Sequence, residues 1–341
     1  MNVNKFPKTI RTTEELMDQM TTPSAEVGEI VKSIPGEIMI LGVGGKMGPT
    51  LAEMLVRAGG DVIGVDVFPD DEIKSQLEST GVRTIKCDLF DLEQLRQLPD
   101  VEHIFLLAGT KFGATGNEPF VWAMNSFLPG KIMERFPKSK TVYLSSGNVY
   151  KFVSVKSNGA SETDEVEPIG EYAMSRLGGE RILSYESQRN QTPACVVRLF
   201  YATECRYGVI HDIAWKIKSG DVIDVSMGHF NQIWQGDACD YLVKCLSLCE
   251  SPAKTINLTG AEILSVREVA SRLGEKMNMT PKFTGTEADT ALLGDSSELF
   301  RHFGKPAVSP EQIMDWVAEW VMQGGESLGK PTKYEKRNGK F

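Results

Sequence analysis

The chain has no apolar run near the roughly 20 residues that a bilayer-crossing helix needs. Its opening, "MNVNKFPKTIRTTEELMDQM", carries no apolar signal core. Both absences lead to the expectation of a cytoplasmic protein away from membranes. Histidine is scarce, four in 341 residues, and the six cysteines include no C-x-x-C pair, so no metal site is expected. Cys245 and Cys249 stand four apart in "DYLVKCLSLCE", an apolar helical pattern that reads as buried reduced thiols. A cationic excess is missing as well. The formal net charge is −9, which argues against nucleic acid as a partner but leaves room for a local basic pocket.

What is present is a globular composition, 41% hydrophobic and 24% charged, and a length for two ordinary domains or one large α/β unit with a smaller lobe. Residues 1–36 read as a helical extension, with a threonine cap in "TTEELMDQM" and a second amphipathic helix ending at Pro35-Gly36. Then short β-branched runs ("EIMILGV", "DVIGVDV", "VRTIKC", "HIFLLAG", "KTVYLSS", "ACVVRLF") alternate with helical patterns over 46–58, 70–80, 91–97, 117–136 and 170–190. Strands so apolar are buried on both faces, which predicts a doubly wound parallel sheet of α/β class. Residues 37–200 are expected to form the dinucleotide-binding domain and 201–322 a smaller α/β substrate lobe partly interleaved with the sheet. Residues 323–341 read as a polar tail, on the surface or mobile.

The stretch "EIMILGVGGKMGPTLAEMLVRAGGDVIGVD", residues 37–66, carries the first functional signal. Gly42 permits the tight turn out of the strand. Gly45 lets backbone N–H groups reach a pyrophosphate, and Gly48 lets helix and strand pack closely. The helix opening near Lys46 and Met47 points its positive end at the phosphates. Asp66, ending the second strand, can bind both adenosine ribose hydroxyls and repels a 2′-phosphate, so NAD is expected over NADP. Lys46 is a counterweight, because a cation in this turn can accept a 2′-phosphate. Asp88 and Leu89, in "KCDLFD", are placed to meet the adenine, although Asp88 reads equally well as a helix N-cap. Ala108 and Gly109, in "LLAGT", bring small residues to the end of the fourth strand, where the dinucleotide must pass.

Chemistry enters later. "TVYLSSGNVY" ends a strand with Ser146, followed by Asn148, and "EYAMSRLGGE" places Tyr172 and Arg176 one helical turn apart on one face. Oxidising an alcohol needs a base for the hydroxyl proton while a nicotinamide takes the hydride. A tyrosine beside a cation can be that base, and a serine can hold the reacting oxygen.

In this order the motifs resemble the extended short-chain dehydrogenase/reductases of the NAD-dependent epimerase/dehydratase group, over about residues 37–320. The resemblance implies bound NAD, Ser146 and Tyr172 as the family's catalytic pair, and Asn125 of "WAMNSFLPG" as its helix asparagine. It further implies a sugar-like substrate between the lobes and a homodimer built from helices 117–136 and 170–190. Two departures follow. The family's Y-x-x-x-K is "YAMSR" here, so Arg176 keeps the charge that holds the ribose and acidifies Tyr172 but cannot relay a proton. Relatives acting on nucleotide-sugars carry an asparagine where Tyr201 stands and an arginine near Phe230 and Asn231, where it meets diphosphate; losing both favours a free sugar, sugar acid or small polyol. Candidates for holding it are Lys111, Ser146, Asn148, Tyr201, Arg206, His211, His229 and Trp234, with Lys111 first because its loop follows strand four.

The resulting expectation is NAD-dependent oxidation or epimerisation at a secondary hydroxyl. The alternatives are a nucleotide-sugar 4-epimerase and, from another class, a catalytically weak NAD-sensing or scaffold protein. Dehydratase chemistry is disfavoured, because "SSGNVY" has no Asp-Glu pair.

Overall fold

The computed structural model describes residues 6–69, 71–111 and 116–340. The expected pattern resolves into a central sheet of seven strands: β1 (Glu37–Leu41), β2 (Asp61–Asp66), β3 (Arg83–Lys86), β4 (His103–Leu106), β5 (Lys140–Ser146), β6 (Ala194–Leu199) and β7 (Lys254–Leu258). Every pairing is parallel, and the spatial order is β7-β6-β5-β4-β1-β2-β3. This is the doubly wound order, with its switch point between β1 and β4. The period of two is visible within β1. Ile38 and Ile40 enter one apolar layer, and Met39 and Leu41 enter the opposite one.

The extension forms α1 (Thr13–Thr21) and α2 (Ala25–Ser33). Thr12 caps α1 through a reciprocal box with Glu15. α2 packs Val27 and Val31 onto the layer over β1, whereas Leu16 and Met20 of α1 enter the core of the second lobe, against Trp234 and Trp316. Along the sheet run α3 (Gly48–Arg57), α4 (Asp71–Ser79), α5 (Leu92–Gln97), α6 (Glu118–Trp122), α7 (Leu128–Arg135) and α8 (Gly170–Asn190). Further along, α9 (Val209–Ser219) enters a second apolar core, whereas α10 (Gln235–Lys244) packs Ala238, Cys239 and Leu242 into the layer over β1.

The helix expected over 117–136 is present over 118–135, with one irregularity inside it. Between α6 and α7 lies one π turn, Ala123–Phe127. Pro129 has no N–H to donate to the Asn125 carbonyl four residues back, and that carbonyl instead accepts from the Tyr143 hydroxyl at 3.3 Å. Gly179 of α8 lies against the same carbonyl, where a side chain would collide. A bulge of this kind re-aims a side chain, and here the side chain is Asn125.

The polar segment after 323 is a strap with firm anchors. Tyr334 is buried in the second-lobe core. Thr332 donates its N–H and hydroxyl to Asp212, and the Arg337 guanidinium donates to Thr290. The periodicity that would flag it is absent, because its apolar contribution is one isolated tyrosine. Among the described residues no helix is long and apolar enough to cross a membrane, and no His/Cys/Asp/Glu group has metal-binding arrangement.

Candidate active site

Two cavities meet at the carboxyl ends of β1, β4 and β5. One, about 350 Å³, is lined by Gly44, Asp66, Asp88, Leu89 and Ala108, among others. The other, about 240 Å³, is lined by Lys46, Met47, Gly48, Lys111, Ser146, Asn148, Tyr172, Arg176, Tyr201 and Tyr207, among others. Gly42, Gly45, Leu107 and Gly109 belong to both, so the pair forms one crevice running across the switch point.

The glycine turn is built for close approach. Gly42 has φ +85°, and a Cβ there would lie 2.5 Å from the Ala108 nitrogen. A Cβ on Gly48 would strike the Val43 carbonyl. Asp66 is fixed by two backbone donors, Gly44 N–H and Val67 N–H, each at 2.8 Å. A cradle of bare backbone facing a pinned carboxylate fits the adenosine half of NAD and repels a 2′-phosphate. Asp88 accepts from Phe90 N–H at its edge; the N-cap of α5 is Asp91, not Asp88.

Lys46 does not lie on the adenosine side. Its ammonium donates to the Ala202 carbonyl at 2.6 Å and sits 3.8 Å from the Tyr207 ring centroid, in the smaller cavity. It therefore offers nothing to a 2′-phosphate, which removes the counterweight to NAD. Burial pushes this ammonium down to about 7.

On the opposite wall, the Ser146 hydroxyl donates to Asn148 Oδ1 at 3.0 Å and accepts from Asn148 N–H at 3.2 Å. Tyr172 and Arg176 reach the same cavity from the first two turns of α8. Arg176 is buried, donates to the Leu144 carbonyl, and lies 5.1 Å from the Tyr143 ring centroid. Its Nε has no hydrogen-bond partner among the described residues. Lys111 flanks Tyr172, with Nζ 5.7 Å from the ring centroid. Burial, with repulsion from Lys333, holds it down at about 8.

Several expected residues stand elsewhere. Asn125 is fully buried behind the wall, where its side chain accepts from Thr110 N–H at 3.0 Å and donates to Thr110 O at 2.9 Å. It pins the floor beside Gly109 and lines neither cavity. Arg206 closes on Glu204. His211 stacks on Trp215 under the C-terminal strap. Trp234 is buried against Trp316 at 5.0 Å between centroids. His229 pairs with Ser265 in a short antiparallel bridge. None of these four lines the crevice; in Trp234 and His211 the aromatic surface is spent on packing.

A support network escaped the sequence reading. Glu180, on α8, takes a bidentate pair from Arg198 of β6, with Nη2 at 2.7 Å, and accepts from the Ser145 hydroxyl at 2.6 Å. Arg198 also donates to the Tyr150 hydroxyl at 2.6 Å. The chain around Ser146 is thus clamped to the helix that carries Tyr172. The only sequence signal is an arginine inside the apolar run "ACVVRLF", which a buried strand tolerates only when it is paired.

Residues 38–204 match the model of the NAD dependent epimerase/dehydratase family. Protein y4nG of Sinorhizobium fredii is 24% identical over 340 residues, covering 89% of this chain and 82% of that protein. Among solved structures, UDP-glucuronic acid 4-epimerase from Bacillus cereus in complex with NAD superposes with TM-score 0.70 at 18% identity, over 84% of this chain and 99% of that one. UDP-glucose 4-epimerase from Thermotoga maritima with UDP-glucose gives 0.71 at 16%, over 84% and 99%. MoeE5 in complex with UDP-glucose and NAD gives 0.68 at 20%, over the same shares.

Proposed function

We propose, from the match of residues 38–204 to the NAD dependent epimerase/dehydratase family model and from the geometry of the crevice, that the protein is an NAD-dependent enzyme acting on a secondary hydroxyl of a small sugar-like substrate. One observation carries this reading: Ser146 and Tyr172 share a cavity that is continuous with the glycine turn and Asp66.

NAD, when bound, supplies the hydride acceptor. Gly42, Gly45 and Gly48 admit its pyrophosphate, and Asp66 takes the adenosine ribose. Ser146, held in place by Asn148, positions the reacting oxygen, and Tyr172 removes its proton. Arg176 and Lys111 bring positive charge to the same cavity, with Lys111 Nζ 5.7 Å from the Tyr172 ring centroid. A nucleotide-sugar is the weaker reading. Phe230 is buried and packs 6.4 Å from the Tyr334 ring, leaving an apolar contact where the resemblance implies a cation for diphosphate.

Incubation with NAD and a panel of free sugars, sugar acids, polyols and nucleotide-sugars tests the activity. Net NADH identifies a dehydrogenase, and a new stereoisomer without NADH identifies an epimerase. NAD binding with no conversion of any panel member, nucleotide-sugars included, would leave the sensing protein.

The homodimer belongs to the same proposal. Phe120, Trp122, Phe127, Met174, Ile182 and Tyr185, all on 118–135 and 170–190, are large hydrophobic residues left exposed. Light scattering of Phe127→Glu should show a monomer where the parent is a dimer.

A further inference from the structure

The catalytic cavity has a charge that its protein does not. The chain carries −9 overall, yet the described lining residues include Lys46, Lys111 and Arg176 and no aspartate or glutamate. Arg176 is engaged with the Leu144 carbonyl. Lys46 is held differently. An ammonium has three donors, and among the described residues it meets one acceptor, Ala202 O. The strongest carboxylate influence on it is Glu204, which is itself paired with Arg206. The Tyr207 ring packs against the ammonium on one side, its centroid 3.8 Å away. A desolvated cation with spare donors gains from an anion in the same cavity.

The space is also small. At about 240 Å³ it falls below the ~300–1,000 Å³ usual for drug-sized ligands. Past Asn148 and Tyr201 only about 20 Å³ remains before Lys336 and Gly339 of the C-terminal strap. NAD, when bound, would take part of this space as well, since Gly42, Gly45 and Gly48 line it, so the substrate anion belongs to a compact molecule.

We propose that Lys46 binds a carboxylate of the substrate, so that this site takes a hydroxy acid of sugar-acid size, its carboxylate on Lys46 and its reacting hydroxyl between Ser146 and Tyr172. This rests on the function proposed above and narrows it. Lys46 becomes the specificity residue, and it links the glycine turn to Ala202, just after β6.

The test compares matched pairs, D-glucuronate with D-glucose and D-galacturonate with D-galactose, in the presence of NAD. Thermal-shift titration reads binding and NADH or stereoisomer formation reads turnover. The wild-type protein should bind an acid at least tenfold more tightly than its neutral partner. Lys46→Met should cut that preference at least tenfold, and Lys46→Arg should restore part of it; Lys46→Gln replaces the methionine variant if that one fails to fold. Equal binding of acid and neutral sugar, or a preference untouched in Lys46→Met, overturns the proposal even if turnover is found. Acid-selective binding lost in Lys46→Met, without conversion, upholds it and defeats the enzymatic reading instead.

Discussion

The Arg176 guanidinium lies over Gly109, in the space that any side chain at position 109 would claim. The arginine reaches there from α8 and is held by the Leu144 carbonyl, with Asn125 Oδ1 3.4 Å from Nη1. The arginine at position 176 is accommodated because Gly109 leaves the facing strand end bare.

Gly109→Ala should therefore displace Arg176 and narrow the passage between the two halves of the crevice. NAD affinity, followed by fluorescence titration, is expected to fall about tenfold or more, roughly 1.4 kcal/mol. Unchanged affinity would show that the guanidinium does not set this passage.

Tyr172→Phe removes the proton acceptor and little else. Turnover should drop by about 10²–10⁴-fold while NAD affinity stays within a few fold. Full turnover in this variant would assign the proton to another group.

Asp66→Ala frees the Gly44 and Val67 N–H groups and deletes the charge that rejects a 2′-phosphate. The ratio of NADP to NAD binding should rise, chiefly through weaker NAD binding. Parallel titrations with the two cofactors measure it.

Arg198→Ala leaves Glu180 buried without its partner. The cost should be about 3–5 kcal/mol in denaturant unfolding. Replacing Glu180 and Arg198 together by hydrophobic residues should cost less than the single change, because no buried charge remains.

Lys46 gives a pH signature. Its folded value, about 7, lies below the ordinary 10.5 because of burial. Between those values the folded chain binds fewer protons than the unfolded one, so this group's contribution to stability rises with pH across that window and its burial penalty is fullest below pH 7. Binding of an acid needs the ammonium. Affinity for the acid should hold level below about pH 7 and weaken by up to tenfold per unit above it, and Lys46→Met should flatten that profile.

The sheet, its parallel order and the position of Tyr172 and Arg176 on one helix were legible because each depends on local pattern: apolar strands, glycine turns and a four-residue helical spacing. The π turn at Asn125 was not legible. Pro129 marks a missing donor, but the group that takes the freed carbonyl is Tyr143, distant in sequence. The substrate candidates divided for the same reason. Lys111, Asn148 and Tyr201 reach the crevice, whereas Arg206, His211 and Trp234 found partners in Glu204, Trp215 and Trp316.

By itself, then, the sequence determined which backbone could hug a dinucleotide, since bare glycines and a strand-end aspartate act through their own main chain. Only the tertiary structure decided where the long cations point. Lys46 can reach either side of its turn, and the Ala202 carbonyl, 156 residues further along the chain, draws it toward the reacting end.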